Sequence, residues 1–222
     1  MNKAIYITGT GTDIGKTYVA GEVVAAIQGE GFDTAYYKPV LSGSDNILES
    51  DAGYVRKRCN LEQEPLSMVT TMYHDAVSPH LAAARVQEGV DLDIINADFG
   101  AVSMLHDVTV VEGCGGIICP LTMFADGRRI MQEDVIHALD LDCLIVADAG
   151  LGTINATVLT IEYMRARGFK IEGIILNRFV EADEMHQDNL AMIEKLGDVD
   201  VVATVAEGGT LKVRKPFFVL EV

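Results

Sequence analysis

Short apolar runs with no polar alternation constrain this fold most. Val108-Thr109-Val110-Val111 and Cys143-Leu144-Ile145-Val146 leave no hydrophilic face for water, so strands built from them must be covered on both sides, as in parallel sheets. Strands are expected at 3–8, 34–40, 67–73, 108–112, 143–148, 171–177 and 201–205, with helices at 16–28, 91–105, 131–139, 154–167 and 184–196. In the fourth helix Ile154, Val158, Ile161 and Met164 recur at helical spacing and Gly168 supplies a stop; that stripe reads as core packing. Strand and helix alternate throughout, which predicts a single-domain α/β fold over residues 1–222, with a mainly parallel seven-stranded sheet and helices on both faces. No internal repeat, low-complexity tract or interdomain linker interrupts it, and 42–51 reads as a loop within the domain.

Charge narrows the function. The chain carries 33 acidic and 17 basic residues, a formal charge of −16. Such a surface repels nucleic acid and anionic membranes, which bind chiefly through Lys and Arg. The one short basic cluster, Lys212 to Lys215, reads as a solvated face. With no leader-like N-terminus and no apolar run of bilayer length, the expectation is a soluble, cytoplasmic protein. Cys59, Cys114, Cys119 and Cys143 are scattered without zinc-site spacing and read as reduced thiols.

The stretch Ile7-Thr8-Gly9-Thr10-Gly11-Thr12-Asp13-Ile14-Gly15-Lys16-Thr17 joins the first strand to the first helix. A dinucleotide fingerprint needs its third glycine earlier and an acid about 20 residues on. Gly15-Lys16-Thr17 instead fits a phosphate-binding loop one residue longer than the usual pattern. Backbone N–H groups at a helix start face an anion, Lys16 can reach the β- and γ-phosphates, and the Thr17 hydroxyl can ligate Mg²⁺. Gly9, Thr10, Gly11, Thr12, Asp13, Ile14, Gly15, Lys16 and Thr17 are therefore candidate nucleotide contacts.

Three further stretches carry chemistry. Val111-Glu112-Gly113-Cys114-Gly115-Gly116 ends a buried strand in an acid, where a carboxylate can hold the magnesium ion. Tyr37-Lys38-Pro39 puts a lysine at a strand end, either exposed there or neutralising charge on a transferred phosphoryl group. Asp51 is either a helix N-cap or a member of the same group. In Gly150 to Thr160, the N–H groups of Thr153 to Asn155 could receive a substrate carboxylate, or the glycines serve only the backbone angles of a loop.

Taken together, these stretches resemble the dethiobiotin synthetases, ATP-dependent carboligases of biotin biosynthesis. The matching motifs are Thr8-Gly9-Thr10 with Gly15-Lys16-Thr17, Lys38 to Gly43, Ser50-Asp51-Ala52, Ser78-Pro79-His80, Val111 to Gly116, and Leu151 to Asn155 with Leu159-Thr160. They run in family order along essentially the whole chain. The resemblance implies carbamate formation on 7,8-diaminononanoate by CO₂, phosphorylation of the carbamate by ATP or another nucleoside triphosphate, and ring closure by the second amine. It implies Thr17, Asp51 and Glu112 as Mg²⁺ ligands, and Lys16 and Lys38 as catalytic groups on the phosphoryl. Thr12, Lys38 and Ser42 would contact the carbamate or diamine, and Asn177 the base. A homodimer is implied, with the substrate carboxylate reaching the partner near Gly152, Thr153, Ile154 and Asn155. Neither Cys114 nor His80 needs a catalytic role. Gly11, Asp13, Cys114 and Ala156 depart from the family's usual residues, and a proline after the last strand is absent. A partitioning-type ATPase switch is the rival reading; such proteins carry a lysine where this chain has Gly11.

Overall fold

The computed structural model describes residues 3–220. Its elements run β1 (Lys3–Gly9), α1 (Lys16–Gly29), β2 (Thr34–Ser42), α2 (Asp51–Cys59), β3 (Val69–Tyr73), α3 (Pro79–Val86), α4 (Leu92–Ser103), β4 (Val108–Glu112), β5 (Pro120–Met123), β6 (Arg129–Met131), α5 (Gln132–Leu139), β7 (Cys143–Asp148), α6 (Thr153–Ala166), β8 (Ile171–Asn177), α7 (Glu184–Gly197), β9 (Val201–Val205) and β10 (Leu211–Val213). The main sheet has the order β10-β9-β8-β7-β1-β4-β2-β3, and β5 and β6 form a separate two-stranded ribbon. All seven expected strands are present and mutually parallel.

The expected count of seven is short by one. β10 is the eighth strand and pairs antiparallel with β9. It has only three residues, Leu-Lys-Val, too few for a periodicity to show. A short edge strand bearing a lysine also discourages pairing with another chain. The basic cluster around it is bound up in ion pairs: Lys212 with Glu181 at 2.7 Å, Arg214 with Glu194 at 3.3 Å, and Lys215 with Asp200 at 2.6 Å.

Strand alternation splits the core into two layers. Ile5 and Ile7, with Leu144, Val146 and Ile175, face α1 and α2 together with Phe217 and Leu220. Tyr6, with Ile145, Ile174 and Leu176, faces α3, α4, α5, α6 and α7 through residues such as Ala82, Ile95, Val135, Ile161 and Ile193. Of the helix stripe, Ile161 and Met164 are fully buried in the core, while Ile154 and Val158 are half-buried.

Helices α2 and α3 had no signal in the hydrophobic pattern. α2 spans nine residues, three of them Arg56, Lys57 and Arg58, and buries only Ala52, Gly53, Val55 and Cys59. It packs on α1, as Gly21 lies against the Tyr54, Val55 and Arg58 side chains. Among the described residues, no helix is long and apolar enough to cross a membrane.

Because the central strands are parallel, their carboxyl ends share one edge of the sheet, where ligands bind in open α/β folds. β1 sits at the middle, and successive connections leave it on both sides. Ile7 pairs with Glu112 across β1 and β4, while Tyr37 pairs with Val111 across β2 and β4. Those two registers bring the loop after β1, Lys38 and Glu112 to one place.

Candidate active site

Residues 10–15 leave β1 as an open bend that ends in Gly15, whose φ of 85° lies in the left-handed region. A Cβ there would also stand 2.2 Å from Asn177 Nδ2, so only glycine fits on both counts. Asn177 Nδ2 donates to the Ile14 carbonyl at 2.8 Å, and Arg178 donates to the Asp13 carbonyl at 2.8 Å while pairing with Asp148. The end of β8 thus holds the loop in place. Arg178, which sequence reasoning missed, follows Asn177 with a φ of 55°. Lys16 folds over the bend, its Nζ donating to the Gly11 carbonyl at 2.8 Å.

Glu112 gathers the charged groups. Its side chain is 1% exposed. Thr17 Oγ1 donates to Glu112 Oε1 at 2.8 Å, Lys38 Nζ donates to the same oxygen at 2.7 Å, and Tyr36 OH donates to Oε2 at 2.7 Å. Lys38 Nζ also donates to Asp51 Oδ2 at 2.6 Å. Lys38 is therefore a buried residue bridging two carboxylates; the exposed strand-end alternative is overturned. The N-cap alternative for Asp51 falls too. Ser50 is the cap, its hydroxyl accepting from the Ala52 N–H at 3.2 Å. As the first helical residue, Asp51 keeps its carboxylate free to turn toward Lys38.

The two lysines differ electrostatically. Burial pulls the Lys16 pKa below the ordinary lysine value, Glu112 opposes that, and the Lys38 charge adds to it. Burial acts the same way on Lys38, but the charges of Glu112 and Asp51 outweigh it and hold its pKa above the ordinary value.

These groups line a cavity of about 620 Å³ with Thr12, Asp13, Gly15, Ser42 and Pro79 among its walls. Ser42 Oγ donates to the Val77 carbonyl at 2.8 Å, which leaves its lone pairs to accept from a ligand. The fourth candidate stretch stands elsewhere. Gly152 caps α6 with a φ of 91°, Thr153 is buried, and Asn155 is exposed. None of Gly152, Thr153, Ile154 and Asn155 lines this cavity within its own chain.

Cys114 and Cys119 also line the cavity, and both are free thiols. Burial pushes the Cys114 thiol up to about 12 against the opposing Lys38 charge, and the Cys119 thiol up to about 11 against Lys16. Their thiolate fraction at pH 8 is then roughly a hundredfold or more below that of an ordinary cysteine. Iodoacetamide should alkylate both at least about tenfold more slowly than an exposed cysteine, followed by peptide mass spectrometry. Labelling at the free-thiol rate would mean that this cavity holds thiolates.

The AAA domain family model matches residues 3–212. An ATP-dependent dethiobiotin synthetase BioD of Brachyspira hyodysenteriae is 47% identical over 208 residues, 94% of this chain and 94% of that protein. One of Clostridium perfringens is 38% identical over 209 residues, covering 92% and 91% of the two chains. Among solved structures, a ParA family ATPase from Chlorobium tepidum is similar with a TM-score of 0.58 at 13% identity, over 93% of this chain and 85% of that one; that likeness is one of fold alone. With the loop, the buried lysine and the strand-end acid converging on one cavity, and with this identity along nearly its full length, the chain belongs to the ATP-dependent dethiobiotin synthetase family.

Proposed function

We propose that this chain carboxylates 7,8-diaminononanoate with CO₂ and closes the ureido ring of dethiobiotin at the expense of ATP. The observation that carries the reading is Lys38, held between Glu112 and Asp51 beside Thr17 and the Lys16 loop. In the first step one amine bonds to CO₂ and loses a proton, giving a carbamate. A carbamate oxygen then attacks the γ-phosphorus and ADP leaves. Finally the second amine attacks the carbamoyl carbon, and phosphate leaves as the ring closes and a proton is lost. Phosphoryl transfer of this kind asks chiefly for positioning and charge neutralisation. Lys16 and Lys38 neutralise the phosphoryl oxygens, the loop 9–17 holds the polyphosphate by its N–H groups, and Thr12 and Ser42 orient the amine and carbamate.

The residues fit a magnesium ion. Thr17, Asp51 and Glu112 are hard oxygen donors, and Mg²⁺ is commonly held by one or two carboxylates together with substrate phosphates. Among the described residues no group of three or more His, Cys, Asp or Glu side chains is placed to hold a metal ion, so the donor set here is two carboxylates and a hydroxyl, completed by the nucleotide's phosphates. When bound, the ion supplies charge neutralisation and phosphate geometry. Asn177 contacts the base of ATP, or of another triphosphate, from a buried position in which Nδ2 already supports the loop.

The segment from Gly152 to Asn155 serves the cavity of a second copy, in a cytoplasmic homodimer. Its absence from the lining of its own chain's cavity supports this, as does Leu151 beside it, 92% exposed. The switch reading is not favoured, since Gly11 stands where partitioning ATPases carry a lysine. The purified chain should release phosphate from ATP only when diaminononanoate and bicarbonate are both supplied. Equal release with and without the diamine would overturn the synthetase reading in favour of the switch.

A further inference from the structure

A buried carboxylate retains its charge only when its lone pairs find donors. The two oxygens of Glu112 are served by different kinds of group. Oε1 accepts from Thr17 and Lys38, both members of the reaction site. Oε2 accepts from Tyr36, a residue outside the cavity lining and fully buried.

Tyr36 stands two residues before Lys38 on β2, so the strand repeat sends both side chains from the same face. The pairing of Tyr37 with Val111 sets that face beside Glu112. The Tyr36 backbone N–H is itself anchored, donating to Gln63 Oε1 at 3.0 Å. Phenylalanine would fill the same space in the core facing α1 and α2. A hydroxyl in that core needs a partner, and here the partner is the acid at the centre of the site. In this contact the phenol hydroxyl is the donor and the carboxylate oxygen the acceptor, at 2.7 Å.

We propose that Tyr36 is a positioning residue for phosphoryl transfer: by holding Glu112 Oε2 it turns Oε1 toward Thr17 and Lys38 and presents one oriented oxygen to the divalent cation. The inference rests on the reading of Glu112 as a cation ligand. Groups that orient a metal ligand through its second atom typically govern affinity by 10–100-fold.

The test uses Mn²⁺ as a paramagnetic probe, with the full chain and a non-hydrolysable ATP analogue. Tyr36→Phe should weaken Mn²⁺ binding by roughly tenfold or more, with analogue affinity in the absence of metal unchanged. In a Glu112→Gln background the same substitution should change Mn²⁺ affinity less than about twofold, because the coupled partner is gone. Equal Mn²⁺ affinity in Tyr36→Phe and the natural chain, with or without a fall in thermal midpoint, overturns the positioning role and leaves Glu112 as ligand. No Mn²⁺ binding by the natural chain with the analogue overturns both.

Discussion

Lys16→Ala abolishes turnover, by roughly a thousandfold or more, while the chain keeps its fold and a thermal midpoint no lower than the natural chain's. The argument is electrostatic. Lys16 is 8% exposed and makes one hydrogen bond, to the Gly11 carbonyl at 2.8 Å. Among the described residues it joins no ion pair. Burial, offset only in part by the Glu112 charge, sets its folded pKa below the unfolded value. The protonated lysine therefore opposes folding at neutral pH, and that opposition fades as pH rises through the folded value toward the ordinary one. Lys16→Ala is therefore expected to cost activity rather than stability. Phosphate release with both substrates present, beside thermal unfolding without nucleotide, checks both halves. Retained activity would mean that the loop does not cradle phosphate, and an unfolded variant would mean that the charge is structural.

What the sequence made legible, and what it did not, divides along the range of the interactions. The runs at β4 and β7 are local signals of two-sided burial, and with their neighbours they predicted the parallel sheet and its central strands. The bend before Lys16 is local in the positive φ that Gly15 adopts, whereas the Asn177 amide that also excludes a Cβ there comes from β8. β10 and α2 escaped because three residues, or nine rich in Arg and Lys, cannot display a period. The state of Lys38 escaped for another reason. β2 runs on through Pro39 to Ser42, so Lys38 is mid-strand and not at a strand end; whether it is bare or buried depends on the register of β2 against β4 and on how α2 begins, and neither is written near residue 38. Tyr36 went unread because tyrosine in a buried strand has an ample explanation in packing. Its spacing of two from Lys38 was the available clue, meaningful only once Lys38 itself was placed.

The same contrast explains how the site is held in shape. The bend is gripped from β8 by Asn177 and Arg178, and Asp148, which pairs with Arg178, also accepts from the Gly150 N–H at 2.8 Å. Asn189 on α7 donates to the Ala149 and Gly150 carbonyls at 2.8 and 3.1 Å. The bend before Lys16 and segment 149–155 are thereby tied to the ends of β7 and β8. Holding donors in place beforehand spares the reaction the cost of ordering them.

Lys38→Met, by contrast with Lys16→Ala, lowers both rate and stability: about 10²–10³ in turnover and about 3 kcal/mol of folding free energy. The two lysines carry the same charge and touch the same cavity, so the difference isolates what ion pairing contributes. Lys38 lies between Glu112 and Asp51, and its folded pKa is above the unfolded value. Its contribution is then fully present below the ordinary lysine value and is lost only as pH rises through the higher folded one. Methionine preserves the apolar stem and removes the charge. Asp51, whose side chain is 47% exposed, can turn to water, whereas Glu112, 1% exposed, cannot. Thr17 and Tyr36 remain as its donors, too few to replace a cation at 2.7 Å. The stability gap between variant and natural chain should therefore be about the same at pH 6 and pH 8, both well below the ordinary lysine value. Denaturant unfolding at the two pH values measures it. A variant as stable as the natural chain at pH 8 would show that the buried Glu112 does not depend on Lys38 as its partner.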